Sequence, residues 1–269
     1  MDLENISKEN IVKDCKKIVI KIGSSTITSK DGTIDKDFME NLAYQVKTLM
    51  DEGKRVVLVS SGARIAGVST IGKWSRKEDI NYKQALCAIG QVELMDSYRK
   101  IFNNYDMHVA QILLTKEDFC SDNRTLNIRN TLFTLLDEGV VPIINENDTV
   151  CVEEIKIGDN DVLAARTAAL WGADLLIILS DIEGIYDKDP SEKGAKLIEI
   201  VTDPEELEKS ITIGEKSSFG TGGIATKIKA AKIVNKYGTH LIVAKGKEKD
   251  IVLKLGKGEA KATLFLAQN

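Results

Sequence analysis

The sequence is poor in the residues that most often do chemistry by themselves. It has two histidines, His108 and His240, set far apart, and four cysteines, Cys15, Cys87, Cys120 and Cys151, with no CxxC pair. That spacing excludes a zinc ribbon or a disulfide framework and fits reduced thiols in the cytosol. The three prolines are isolated, and no Pro- or Ser-rich linker or low-complexity tract divides the chain. No apolar run is long enough to cross a bilayer; Leu175 to Leu179 is typical. The N-terminus alternates charges and lacks the apolar stretch of a secretory signal. Positive charge is not in excess. Lys plus Arg is 37 against 41 for Asp plus Glu, so nothing favours nucleic-acid binding through a broad basic surface. Two nucleotide motifs are missing as well: no GxGxxG follows the first strand, and no GxxxxGK[ST] occurs. The expectation is a cytoplasmic metabolic protein with neither nucleic acid nor membrane as a partner.

What is present is alternation. With 269 residues, 43% of them apolar, the chain can bury one large α/β core or two closely packed lobes. Apolar β-branched runs at Ile18–Ile22, Val56–Val59, Val109–Leu114, Val140–Ile144, Leu175–Leu179 and Leu241–Ala244 are separated by helical patterns. Helices are expected from Asp35 to a stop at Gly53, Tyr82 to Phe102, Thr125 to Glu138, after Asp161 through about Trp171, Asp203 onward and Thr226 to Tyr237, with a last strand over Thr263 to Leu266. The pattern predicts a three-layer αβα sandwich with a mainly parallel central sheet. It forms one domain over 1–269 with a lobe junction near Gly172, giving lobes 1–172 and 173–269.

Polar and glycine residues gather where the strands end, the edge at which open α/β sheets bind ligands. Five clusters stand out: Lys21 to Ser25, Ser60-Ser61-Gly62, Asn145 to Asp148, Ser180-Asp181, and Thr221 to Lys227. Lys21 reads in two ways: a lysine facing water from an edge strand, or a cation aimed at a phosphate, with Gly23 allowing close backbone approach. Gly220-Thr221-Gly222-Gly223-Ile224-Ala225-Thr226-Lys227 reads either as a flexible loop before a helix or as an anion cradle with Lys227 as a point charge. The acid- and amide-rich stretches Asn145 to Asp148 and Gly158 to Asp161 are either solvated turns or a substrate-ammonium partner and a lysine organiser.

On these strings the chain resembles the amino acid kinase family, from about Lys17 to Gln268. The strings are VIKIGSST (19–26), VLVSSGARIAG (57–67), QILLT (111–115), VPIINENDTV (141–150), EIKIGDND (154–161), GTGGIATK (220–227) and TLFLAQ (263–268). INEND with KxGDND and GTGGxxTK points to the family's glutamate-phosphorylating branch.

The resemblance implies ATP-dependent phosphorylation of the γ-carboxylate of L-glutamate to L-glutamyl 5-phosphate, the first step of proline biosynthesis, with Mg²⁺ on the nucleotide. It implies that Lys21 and Lys227 neutralise the transferring phosphoryl group and that Asp161 holds them. Ser61, Gly62, Asp148 and Asn160 are implied to bind glutamate, through the N-terminal lobe. Lys21, Gly23, Ser180, Asp181, Thr221, Gly222, Gly223, Ile224, Ala225, Thr226 and Lys227 are implied to bind the nucleotide, mostly through the C-terminal lobe; relatives often carry Thr at position 180. No metal ligand from the protein is implied. Feedback inhibition by proline and a homo-oligomer, dimer or tetramer, are also implied. Many members carry an additional C-terminal PUA domain; the resemblance here covers the kinase domain only. Two rivals stay open: a family kinase for another small carboxylate or carbamate, and a nucleotide-binding sensor or storage protein on the same fold, without turnover.

Overall fold

In the computed structural model, residues 7–72, 79–151, 160–213 and 223–268 are described. The first strand, β1 (Lys17–Ile22), follows a short helix α1 (Lys8–Asp14) and leads into a single helical turn, α2 (Ser24–Ile27). It lies inside the sheet, paired in parallel with β2 (Arg55–Val59) on one side and β5 (Leu175–Ser180) on the other. Side chains alternate between the faces of a strand. Ile18, Ile20 and Ile22 therefore enter one apolar core and Val19 the other. Lys21 shares the face of Val19. It is 3% exposed on an internal strand, which excludes the reading of a water-facing edge lysine.

The remaining strands are β3 (Val109–Leu114), β4 (Val141–Glu146), β6 (Ile200–Val201), β7 (His240–Lys245) and β8 (Ala262–Phe265). They complete an eight-stranded sheet of order β3-β4-β2-β1-β5-β7-β8-β6, parallel except for β7 against β8. Pro142 is tolerated within β4 because the pairing of β4 with β2 begins at Ile143, beyond the missing N–H.

One core packs the sheet against α3 (Lys36–Asp51), α4 (Ala63–Ile71), α5 (Ile80–Asn103) and α10 (Ile251–Leu255). The other packs the opposite face against α6 (Asp122–Asp137), α7 (Asp161–Trp171), α8 (Pro204–Ile213) and α9 (Gly223–Asn235). This is the expected three-layer sandwich. Strand ends shift by a residue or two from expectation, and β4 continues through Asn145 and Glu146, both buried. Helix α4 is not foreseen in the sequence. It carries Gly67 in its middle, a residue that weakens an isolated helix.

Gly67 has a tertiary reason. A Cβ there would lie 1.9 Å from the Leu86 carbonyl oxygen, and one on Gly90 would lie 1.7 Å from that of Ala63. Helices α4 and α5 thus meet backbone to backbone, which sets the start of α4 against α5. Gly90→Ala must push the helices apart. The expected cost is about 3 kcal/mol, at the upper end of overpacking. Urea unfolding measures it; an unchanged midpoint would show that the two helices are not locked here.

Candidate active site

Because β1, β2, β4 and β5 run parallel, their C-terminal ends open on one edge of the sheet. The clusters after these strands are Gly23, Ser60-Ser61-Gly62, Asn147-Asp148 and Asp181. Gly23 donates its N–H to the Leu179 carbonyl at 3.0 Å, and a Cβ on it would sit 3.2 Å from that oxygen. The two strand ends therefore approach closely. Gly62 has φ 91° and would place a Cβ 2.7 Å from Ile27, so only glycine suits the turn into α4.

The centre of the site is Asp161, the first residue of α7, which has no exposed surface. Its Oδ1 is 2.7 Å from Lys21 Nζ and its Oδ2 is 3.1 Å from Lys227 Nζ. A carboxylate at a helix N-terminus is further favoured by the helix dipole. Lys227 is the fifth residue of α9 and also donates to the Gly223 carbonyl at 3.1 Å. The Thr226 hydroxyl lies 3.0 Å from both Asp161 Oδ2 and Gly223 O; its single proton serves one at a time. Two lysines distant in sequence are thus joined, buried, by one carboxylate. The trio carries a formal charge of +1 toward the strand ends, suited to a multiply charged anion.

Around it, Ser180 donates its hydroxyl to the exposed Asp181 at 2.9 Å. Gly223 and Ala225 are exposed in the first turn of α9, and Ile224 is half-buried against the second core. Thr221 and Gly222 lie outside the described residues, as do Gly158 and Asp159. Asn160 is buried just before α7. Its Nδ2 donates to the Ser60 carbonyl at 2.7 Å and to Asn145 Oδ1 at 2.8 Å. The Ser61 hydroxyl is buried and has no hydrogen-bond partner among the described residues. A cavity of about 410 Å³ lies between α5, β3 and the end of β4, lined among others by Cys87, Gln91, Gln111, Glu146 and Asp148. Burial, then the neighbouring Asp148 carboxylate, push the Cys87 thiol up to about 12, so at neutral pH it is the protonated, donating partner of Asp148.

The sequence reading missed Asn145 as an individual residue, though it lies in a quoted motif, and missed Gln84 and Gln91 on α5. Their only signal is spacing: positions 84, 87 and 91 fall on one helical face.

A family model for the amino acid kinase family matches residues 16–245. The chain belongs to that family. It is 62% identical to the glutamate 5-kinase of Alkaliphilus metalliredigens over 96% of this chain and 98% of that one. Among solved structures, UMP kinase from Ureaplasma parvum superposes with a TM-score of 0.67 at 18% identity, covering 93% of this chain and 98% of that one. Carbamate kinase from Giardia lamblia bound to AMP-PNP gives 0.66 at 14% identity, covering 94% and 99%. At such identities the two structures speak for the fold. Among the described residues no helix of this amino acid kinase is long and apolar enough to cross a membrane, and no three His, Cys, Asp or Glu side chains cluster as metal ligands.

Proposed function

We infer that the chain transfers the γ-phosphoryl group of ATP to the γ-carboxylate of L-glutamate, giving L-glutamyl 5-phosphate and ADP at the head of proline biosynthesis. The observation that carries the phosphoryl-transfer part is the buried Lys21–Asp161–Lys227 trio at the C-terminal edge of the sheet. Glutamate as acceptor is supported by the near-full-length likeness to glutamate 5-kinases.

The acceptor carboxylate is already ionised near pH 7, so no general base is required. Its oxygen forms a bond to the γ-phosphorus as the bond to the ADP oxygen breaks. The protein's part is to align the two and to offset charge that moves to the leaving oxygen. Lys21 and Lys227 face that charge, and Asp161 keeps the two cations together. Gly23, Ser180, Asp181 and residues 221–227 are proposed to hold the nucleotide, mostly through the half 173–269. Ser61, Gly62, Asp148 and Asn160 are proposed to hold glutamate in the half 1–172. Asp148 would pair with its ammonium, and the Ser61 hydroxyl would supply a donor. With Asp161 committed to the lysines, the described residues offer no cluster of ligands for Mg²⁺; accompanying the nucleotide, it would supply positive charge against the phosphates.

We also propose that the enzyme is cytoplasmic and works as a dimer or tetramer. The exposed Val92 and Leu126 and the edge strand β3 are available for such contacts.

An ADP-release assay with glutamate, aspartate, acetylglutamate and UMP side by side tests the reading. Turnover is expected with glutamate alone; preference for another acceptor overturns the assignment. In the same assay, millimolar proline is expected to weaken apparent glutamate affinity, and unchanged rates at subsaturating glutamate would remove proline as a regulator.

A further inference from the structure

Helix α5 places Gln84, Cys87 and Gln91 on one face at i, i+3 and i+7. Gln84 and Cys87 meet the segment that follows β4, and Gln91 meets the end of β4 itself. Gln84 Nε2 donates to the carbonyls of Asp148 at 3.2 Å and Thr149 at 3.1 Å. The Cys87 thiol lies against the Asp148 carboxylate. Gln91 Oε1 accepts from Asn145 Nδ2 at 2.7 Å.

Asn145 in turn is engaged at both ends of its carboxamide. Its Oδ1 accepts from Asn160 Nδ2 at 2.8 Å and from the Glu146 N–H at 3.0 Å. The Asn145 carboxamide can receive the Asn160 donor only while its own NH₂ end points the other way, and Gln91 is what holds that end. The chain of orientation runs from Gln91 through Asn145 to Asn160. The Gln91 Nε2 atom is buried without a hydrogen-bond partner among the described residues. A buried donor left unpaired is costly; the bond to Asn145 accounts for the Oε1 end of Gln91, and no described residue accounts for the Nε2 end.

The geometry points to Gln91 as a positioning residue for the acceptor site, setting the Asn160 side chain through Asn145. Among the described residues it makes no hydrogen bond to the lysine trio or to the nucleotide-side residues, so its effect should fall on one substrate. This inference rests on the acceptor-site reading given above. Helix α5 can serve as such a reference because Gly90, the preceding residue, lies against the Ala63 carbonyl at the start of α4. The same helix thus registers Ser61, Asn145 and Asp148 together.

The test is steady-state kinetics of the full chain with glutamate and ATP varied separately, alongside a thermal melt. Gln91→Met keeps the length of the side chain and removes the acceptor oxygen. The expected result is a glutamate KM raised about tenfold with the ATP KM nearly unchanged, and a melting midpoint lowered by a few degrees because the buried Asn145 Nδ2 loses its acceptor. Gln91→Glu restores an acceptor oxygen for Asn145 and should recover part of the loss. If Gln91→Met does not fold, Gln91→Ala carries the same expectation, because its void opens onto the existing cavity where water can enter. An unchanged glutamate KM overturns the inference, as does an equal rise in both KM values. Asp148→Asn, expected to raise the glutamate KM more strongly, reports on the acceptor site independently. If Asp148→Asn leaves that KM unchanged while Gln91→Met raises it, the assignment of Asp148 fails and the relay stands. If wild type prefers another acceptor, the substrate assignment fails, and the Gln91 comparison is then decided on that acceptor.

Discussion

Lys227→Met is expected to lower kcat by a hundredfold or more while changing both KM values far less. Lys227 Nζ lies 3.1 Å from Asp161 and is 4% exposed, so its charge is presented in a nearly water-free setting where it acts strongly. A cation aimed at the transferring group stabilises charge that appears only as the phosphoryl group moves, and such groups typically contribute about a hundred- to a thousandfold. Loss of such an interaction reduces kcat and kcat/KM together. Methionine keeps most of the length, and folding is checked by circular dichroism. A near-normal kcat would make Lys227 a structural lysine and remove the phosphate cradle with it.

Asp161→Asn should be the more damaging change, because it affects stability as well as chemistry. The substitution leaves the ammonium groups of Lys21 and Lys227 buried without the carboxylate that lies between them. Removing one partner of a buried ion pair costs about 3–5 kcal/mol, since the remaining charge is uncompensated. Urea unfolding should show that loss, and kcat should fall at least as far as in Lys227→Met. The decisive comparison is the double variant. Asp161→Asn with Lys227→Met removes one of the uncompensated charges, so it should be more stable than Asp161→Asn alone. A double variant less stable than either single one would mean that the three side chains are not one electrostatic unit.

The legible parts of this fold are those written in local chemistry. Asp35 accepts from the Phe38 N–H at the start of α3, as its position before an apolar stripe suggests. Phe38, Leu42, Val46 and Leu49 are all buried, and Gly53 turns with φ 79°. The stretch after β4 was harder to divide. Polar Asn145 and Glu146 look like a loop, yet they complete β4 because their backbone pairs with β3 and the Asn145 side chain bonds to Gln91 inside the protein. Helix α4 was hidden for a related reason. Its small residues serve contact with α5, and that contact is invisible along the chain.

By itself the sequence determined the layer order, the parallel strand ends and the residue types gathered there, since periodicity and turn chemistry act over a few neighbours. It also held the family strings that name Lys21, Asp161 and Lys227. Only the tertiary structure decided that Lys21 faces inward on a central strand, that one carboxylate holds both lysines, and that Gln91 reaches Asn145. Those facts depend on which strands neighbour β1 and on how closely α4 and α5 approach. Contacts between residues as far apart as 21 and 161, or 161 and 227, are set by packing of whole layers rather than by local preference.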